Sequence, residues 1–91
     1  MNDGKIIVLK FGGSSLKNSD CIKKVIDIIT KRVDLGYKTV VVVSAQGKTT
    51  ETLLKEAAEF APNGNPREID MLLTTGERAS AAIVAMALES K

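Results

Sequence analysis

Lys5-Ile6-Ile7-Val8-Leu9-Lys10-Phe11-Gly12-Gly13 and Thr39-Val40-Val41-Val42-Val43-Ser44 are the two stretches that decide the fold. Each is a short run of apolar, mostly β-branched residues closed by small or polar ones. Such a run reads as a strand, and an unbroken one reads as a strand buried on both faces, as in a parallel sheet. Between them Ile22, Val25, Ile26, Ile29 and Val33 recur at helical spacing, while Lys23, Lys24, Asp27, Lys31 and Arg32 face away. Asn18 or Ser19 can cap this helix, and Gly36 stands where it should stop, after about Leu35. Strand, crossover helix, strand is a βαβ unit, and its crossover is expected to be right-handed. The fold class is therefore α/β.

Working outward, Ser44-Ala45-Gln46-Gly47-Lys48 is a loop, followed by a helix from about Thr50 to Phe60. Pro62-Asn63-Gly64-Asn65-Pro66 is a turn-rich break. Asn65 then offers a cap, Pro66 fills the first helical position, and Glu68 lies three past the cap. This helix is expected to run to Leu73, to be interrupted at Thr74-Thr75-Gly76, and to resume from Glu77 to Glu89. Ala79, Ala82, Ala85 and Ala87 on the last piece would let another element approach closely. Two strands are few for a sheet of this class. Residues 1–91 accordingly read as the first part of a longer, truncated domain, expected to associate with itself, to associate with the rest of that domain, or to fold loosely.

Composition narrows the functions. With 44% hydrophobic and 26% charged residues the chain is too apolar to be disordered. Lys and Arg number 13 against 11 Asp and Glu, a balance that gives no reason to expect nucleic acid or an anionic membrane as partner. There is no His, which removes His-based triads, His general bases and His-containing zinc sites. A single cysteine, Cys21, allows no internal disulfide and no thiolate metal cluster, and it is expected to pack against the core. No metal-ligating set of side chains is expected. Neither a signal-peptide core nor a membrane span is evident, so the expected location is cytoplasmic.

Three polar segments could carry chemistry. Lys10-Phe11-Gly12-Gly13-Ser14-Ser15 ends the first strand, and open α/β sheets bind ligands beyond the carboxyl ends of their strands. Two glycines there would let backbone N–H groups approach an anion, with Lys10 adding charge and Ser14 and Ser15 adding hydroxyls. A plain Gly-Gly turn with a solvated lysine has the same spelling. Gly47-Lys48-Thr49 looks like the tail of a P-loop, but the first glycine of that pattern would have to stand at Val42, inside the strand. What remains is a small polar loop beside the first, or helix capping by Thr49 or Thr50. Glu77, after Gly76, is either aimed into a cleft or a first-turn acid on a helix capped by Thr75.

In this order the three segments resemble the amino-acid kinase family, most closely its aspartate kinases. Lys10-Phe11-Gly12-Gly13-Ser14-Ser15 matches a K-F-G-G-[ST]-S start. Val41-Val42-Val43-Ser44-Ala45-Gln46-Gly47-Lys48-Thr49-Thr50 resembles V-V-V-S-A-M-G-[KR]-[ST]-T, with Gln46 in place of the usual Met. Arg67-Glu68-Ile69-Asp70-Met71-Leu72-Leu73-Thr74-Thr75-Gly76-Glu77 resembles R-E-x-D-M-L-L-[AS]-T-G-E. The resemblance implies the family's three-layer α/β fold, of which only the first βαβ unit and the following helices are present. It implies ATP and Mg2+ as cofactors, L-aspartate as the second substrate, and transfer of the γ-phosphoryl group to the aspartate side chain, a step toward lysine, threonine and methionine.

By the same resemblance Lys10 is the catalytic residue, stabilising charge on the transferring group. Lys10, Phe11, Gly12, Gly13 and Ser14 would bind the nucleotide. Ser44 and Thr50 would hold the aspartate, and Glu77 would accept from its α-amino group. A homo-oligomer is implied. The family's adenine-binding half, its substrate-binding Arg segment, a magnesium-related acidic residue and its regulatory domains have no counterpart in these residues. The chain alone is therefore expected to be inactive. The competing readings are a kinase of another acidic amino acid and a non-catalytic, self-associating module.

Overall fold

A computed structural model describes residues 3–91. The two apolar runs form strands β1 (Ile6–Phe11) and β2 (Lys38–Val43), joined by helix α1 (Ser19–Asp34). Helices α2 (Thr49–Phe60) and α3 (Pro66–Glu89) follow. The strands pair in parallel, from Ile6 opposite Lys38 to Phe11 opposite Val43. A parallel pair requires a crossover, and α1 supplies it.

The ends of α1 are set by local chemistry. The Asn18 carboxamide oxygen accepts the Cys21 N–H at 2.9 Å, satisfying one of the donors that a helix start leaves free. At the far end Gly36 (φ 93°) follows the last turn. There the Gly36 N–H donates to the Val33 carbonyl and the Tyr37 N–H to the Arg32 carbonyl, the paired closure of a Schellman stop.

The core lies between one face of the sheet and the helices. Phe11, Leu16, Val25, Ile26, Ile29 and Val84 are its buried members, with Leu9, Ile22, Val41, Val43, Ala87 and Leu88 packed around them. Leu16 belongs to a 3-10 turn (Gly13–Leu16) that the periodicity did not foretell, and it is fully buried. Val33, expected on the inner face of α1, is 52% exposed; it borders an open cavity shared with Thr39 and Val41 of β2.

Two expectations are corrected. The strands are covered on one face only. Ile6, Val8, Val40 and Val42 stand exposed on the other, with Lys10 and Lys38 beside them. The reason is that α1 and α3 both pack on the same side. The third helix is also unbroken through Thr74-Thr75-Gly76. The Thr74 and Thr75 hydroxyls donate to the carbonyls of Met71 and Leu72, both at 2.7 Å. Their side chains thus fold back on the preceding turn instead of capping a new helix. The start of α3 is as expected, with the Asn65 oxygen accepting the Arg67 N–H at 2.9 Å.

By length and composition α3 is long and apolar enough to cross a membrane, contrary to the expectation from the sequence. Its buried stripe of Gly76, Ser80 and Val84 is packed against protein, and it carries charges at Arg67, Glu68, Asp70, Glu77, Arg78 and Glu89. The helix is about 36 Å long at 1.5 Å per residue, longer than the strands. Its first half, with α2, therefore projects past the sheet. The radius of gyration of 15.9 Å records this overhang, since a compact chain of this length would have about 12 Å.

Candidate functional site

The loops that leave β1 and β2 run side by side because the strands are parallel neighbours. Ser44 N–H donates to the Phe11 carbonyl at 3.1 Å, extending the pairing one step beyond the sheet. Gly47 N–H donates to the Gly13 carbonyl at 2.8 Å. The Gln46 side-chain amide reaches the Leu16 carbonyl at 3.0 Å. The third segment arrives from α3. A Cβ at Gly76 would lie 3.0 Å from the Ala45 Cβ and 3.1 Å from the Thr49 Cγ2. Ala45 is buried at this junction, so all three polar segments meet around one residue of the middle loop.

The two glycines of the first loop differ. A Cβ at Gly13 would lie 2.9 Å from the Ala45 carbonyl oxygen and 3.0 Å from that of Gly47. Loop–loop packing alone therefore demands glycine at 13. A Cβ at Gly12 would meet nothing within 4 Å. Gly12 faces open space, at the start of a 3-10 turn that no side chain caps. The amides of Gly13 and Ser14 donate to no backbone carbonyl among the described residues. Those are the properties of a surface that can take an anion.

Lys10, at the end of β1, is exposed on the uncovered sheet face. The Phe11 ring lies in the core and its carbonyl takes the Ser44 N–H, so its side chain is used by the fold. Ser14 is exposed, and Ser44 and Thr50 are half-buried. Among the described residues neither the Ser44 nor the Thr50 hydroxyl is engaged by another side chain or carbonyl. Helix α2 starts at Thr49 with no side-chain cap, so capping does not consume Thr49 or Thr50. Glu77 is exposed, one residue past the buried Gly76. Lys10 lies on the bare sheet face opposite Val42, and Glu77 lies on α3 next to Gly76; both side chains are exposed.

Sequence reasoning passed over Lys17 and Gln46, which together with Gly47, Lys48, Thr49 and Thr52 line an open groove of about 570 Å³ beside the two loops. The signal for Gln46 was its departure from the family pattern. For Lys17 there was none, since its position depends on the 3-10 turn. Among the described residues no group of three or more Asp, Glu, His or Cys could hold a metal ion.

A sequence profile of the amino acid kinase family matches residues 5–91. The chain belongs to that family. Amino acid kinase relatives include an aspartokinase from Mycolicibacterium smegmatis, 49% identical over 85 residues. Another aspartokinase, from Geobacillus stearothermophilus, is 45% identical over 86 residues. These alignments take in 93% and 94% of this chain, but 20% and 21% of the relatives. The chain thus spans about a fifth of the length of the curated relatives it matches. The crystal structure of an aspartate kinase from Synechocystis superposes with a TM-score of 0.91 at 45% identity, covering 93% of this chain and 14% of that one. The α/β architecture of β1, α1, β2, α2 and α3 is thus a part of an amino acid kinase fold.

Proposed function

We propose that the protein carrying this chain transfers the γ-phosphoryl group of ATP to the side-chain carboxylate of L-aspartate, giving 4-phospho-L-aspartate. The observation that carries this reading is the junction at Ala45. There the Gly12-Gly13-Ser14 turn, the Ser44–Thr50 loop and the Gly76-Glu77 step of α3 come together. The kinship with aspartokinases supports the choice of acceptor.

The chemistry asks little beyond placement. The acceptor carboxylate is ionised at neutral pH. Its oxygen forms the new bond to phosphorus as the bond to the ADP oxygen breaks, and no proton has to be removed first. A chain without His is suited to such a reaction. ATP, when bound, supplies the phosphoryl group; the residues supply position and compensating charge. The free amides of Gly13 and Ser14, the Ser14 hydroxyl and the open side of Gly12 fit a phosphate. The Lys10 ammonium would offset charge on the group in transfer. Ser44 and Thr50 present unengaged hydroxyls to the amino acid, and Glu77 would accept from its α-ammonium. Phe11 contributes through the strand register that its carbonyl helps to fix. The described residues offer no carboxylate cluster for Mg2+.

The test is complementation of an aspartate-kinase-deficient bacterium by the complete gene, beside its Lys10→Ala and Glu77→Ala versions. Growth with the unaltered gene and loss with both variants is expected. Failure of the unaltered gene, or full growth with both variants, would refute the reading. The 91-residue chain spans about a fifth of the curated relatives it matches, and the purified chain is expected to show no aspartate-dependent ATP turnover.

A further inference from the structure

The two loops at the C-terminal ends of the strands carry positive charge alone. From Lys10 to Lys17 and from Ser44 to Thr50 there are three charged residues, Lys10, Lys17 and Lys48, and no Asp or Glu. The chain has 13 Lys and Arg against 11 Asp and Glu; less these three, the count is 10 against 11. The net positive charge is therefore concentrated on the loops. Lys10 has its part in the reaction described above; Lys17 and Lys48 have none. Lys17 follows the 3-10 turn and Lys48 precedes α2. Gly47 brings them together, since a Cβ there would lie 3.4 Å from the Lys17 Cβ. Both side chains are exposed. Both line the open groove of about 570 Å³, whose lining holds no carboxylate. The acids that follow them, Asp20 and Glu51, stand exposed on the first turns of α1 and α2, and Glu77 stands on α3. Like charges gathered on one rim raise the local potential above that of the surrounding surface.

On the functional reading above, the turn that ends at Lys17 receives the phosphates of ATP at its start, where Gly12 is open and the amides of Gly13 and Ser14 are free. We propose that Lys17 and Lys48 guide the nucleotide to that turn. They attract the polyanion during its approach and make no contact with it once it is bound. Exposed charges act through solvent over about 8 Å at physiological salt. The Gly47 N–H, 2.8 Å from the Gly13 carbonyl, holds the pair of lysines within that range of the turn. The attraction grows with the charge of the incoming ligand. ATP carries several negative charges and aspartate one in net, so capture of ATP gains most. Guidance raises the association rate and leaves the chemical step as it is; a relative can therefore react without these two lysines. This inference rests on the proposed kinase activity, and its test separates the two.

The test follows association of N-methylanthraniloyl ATP with the complete gene product by stopped flow, from about 20 mM to about 500 mM salt. Lys17→Gln together with Lys48→Gln is expected to slow association roughly fivefold at the low end. At the high end, where salt screens the field, the two proteins should agree within about 1.5-fold. Dissociation, kcat and KM for aspartate are each expected to stay within about twofold. The thermal midpoint should not move, because both sites are exposed. Lys23→Gln with Lys24→Gln removes the same charge from the exposed side of α1 and should slow association by less than about 1.5-fold. Unchanged association at low salt in the loop variant would overturn the proposal. So would an equal loss from the α1 variant, which would make net charge the cause. Faster dissociation at every salt concentration would also overturn it, since the lysines would then be ligands. Salt-dependent capture of ATP by a protein without aspartate-dependent turnover would overturn the choice of acceptor and uphold the guidance. A complete protein that binds no ATP would overturn both.

Discussion

An alanine at position 13 would force its Cβ to 2.9 and 3.0 Å from two backbone carbonyl oxygens, which cannot swing away as a flexible side chain would. Gly13→Ala is therefore expected to destabilise by about 1–3 kcal/mol, read from urea unfolding. Gly12→Ala is expected to stay within about 0.5 kcal/mol of the parent, because its new methyl enters open space. If Gly12 guards a phosphate surface, that variant should fold normally and bind ATP poorly. Equal stability losses at the two positions would contradict the geometry. Ser80 presents the opposite case. Its hydroxyl is buried with no hydrogen-bond partner, a state that costs about 1–3 kcal/mol. Ser80→Ala should leave the thermal midpoint unchanged or raise it; a clear fall would mean that the hydroxyl has a partner.

At the level of elements, α3 shows how packing overrides propensity. Glycine within a helix costs about 1 kcal/mol relative to alanine, so Gly76 looks like a break. The helix continues because the missing side chain lets it approach Ala45 and Thr49. Gly76→Ala would gain that propensity and pay for contacts of 3.0 and 3.1 Å with short, rigid groups. Overpacking costs about 1–3 kcal/mol, so the net effect is expected to be destabilising, and larger still for Gly76→Val. A stabilised Gly76→Ala would show that the α3–loop contact can relax. Helix α1 depends on its cap, and Asn18→Ala should cost about 1 kcal/mol, measurable by denaturant titration.

For the molecule as a whole, the bare sheet face dominates. Ile6, Val8, Val40 and Val42 form a contiguous apolar surface across both strands. Each strand also has a free outer edge, because the described sheet holds only these two. Unpaired edges and apolar faces favour association. The 91-residue chain is expected to self-associate at micromolar concentration in sedimentation experiments. Val8→Lys together with Val40→Lys should shift it toward monomer with little loss of helix content, since both sites are exposed on the uncovered face. A parent chain that is monomeric throughout would contradict this.

Strand and helix identity, the caps at Asn18, Gly36 and Asn65, and the parallel pairing were legible in the residues, because local sterics and periodicity decide them within a few neighbours. The three polar segments were also legible as candidates, for their composition alone. Contacts distant in sequence settled the rest. Whether Gly76 breaks a helix or admits a close neighbour depends on Ala45, far back in the chain. Which of two adjacent glycines serves packing depends on where a second loop lies. Which face of β1 and β2 is covered depends on the side that α1 and α3 choose. Near neighbours determine the elements; only the folded chain brings remote atoms within van der Waals range, and at that range the site is decided.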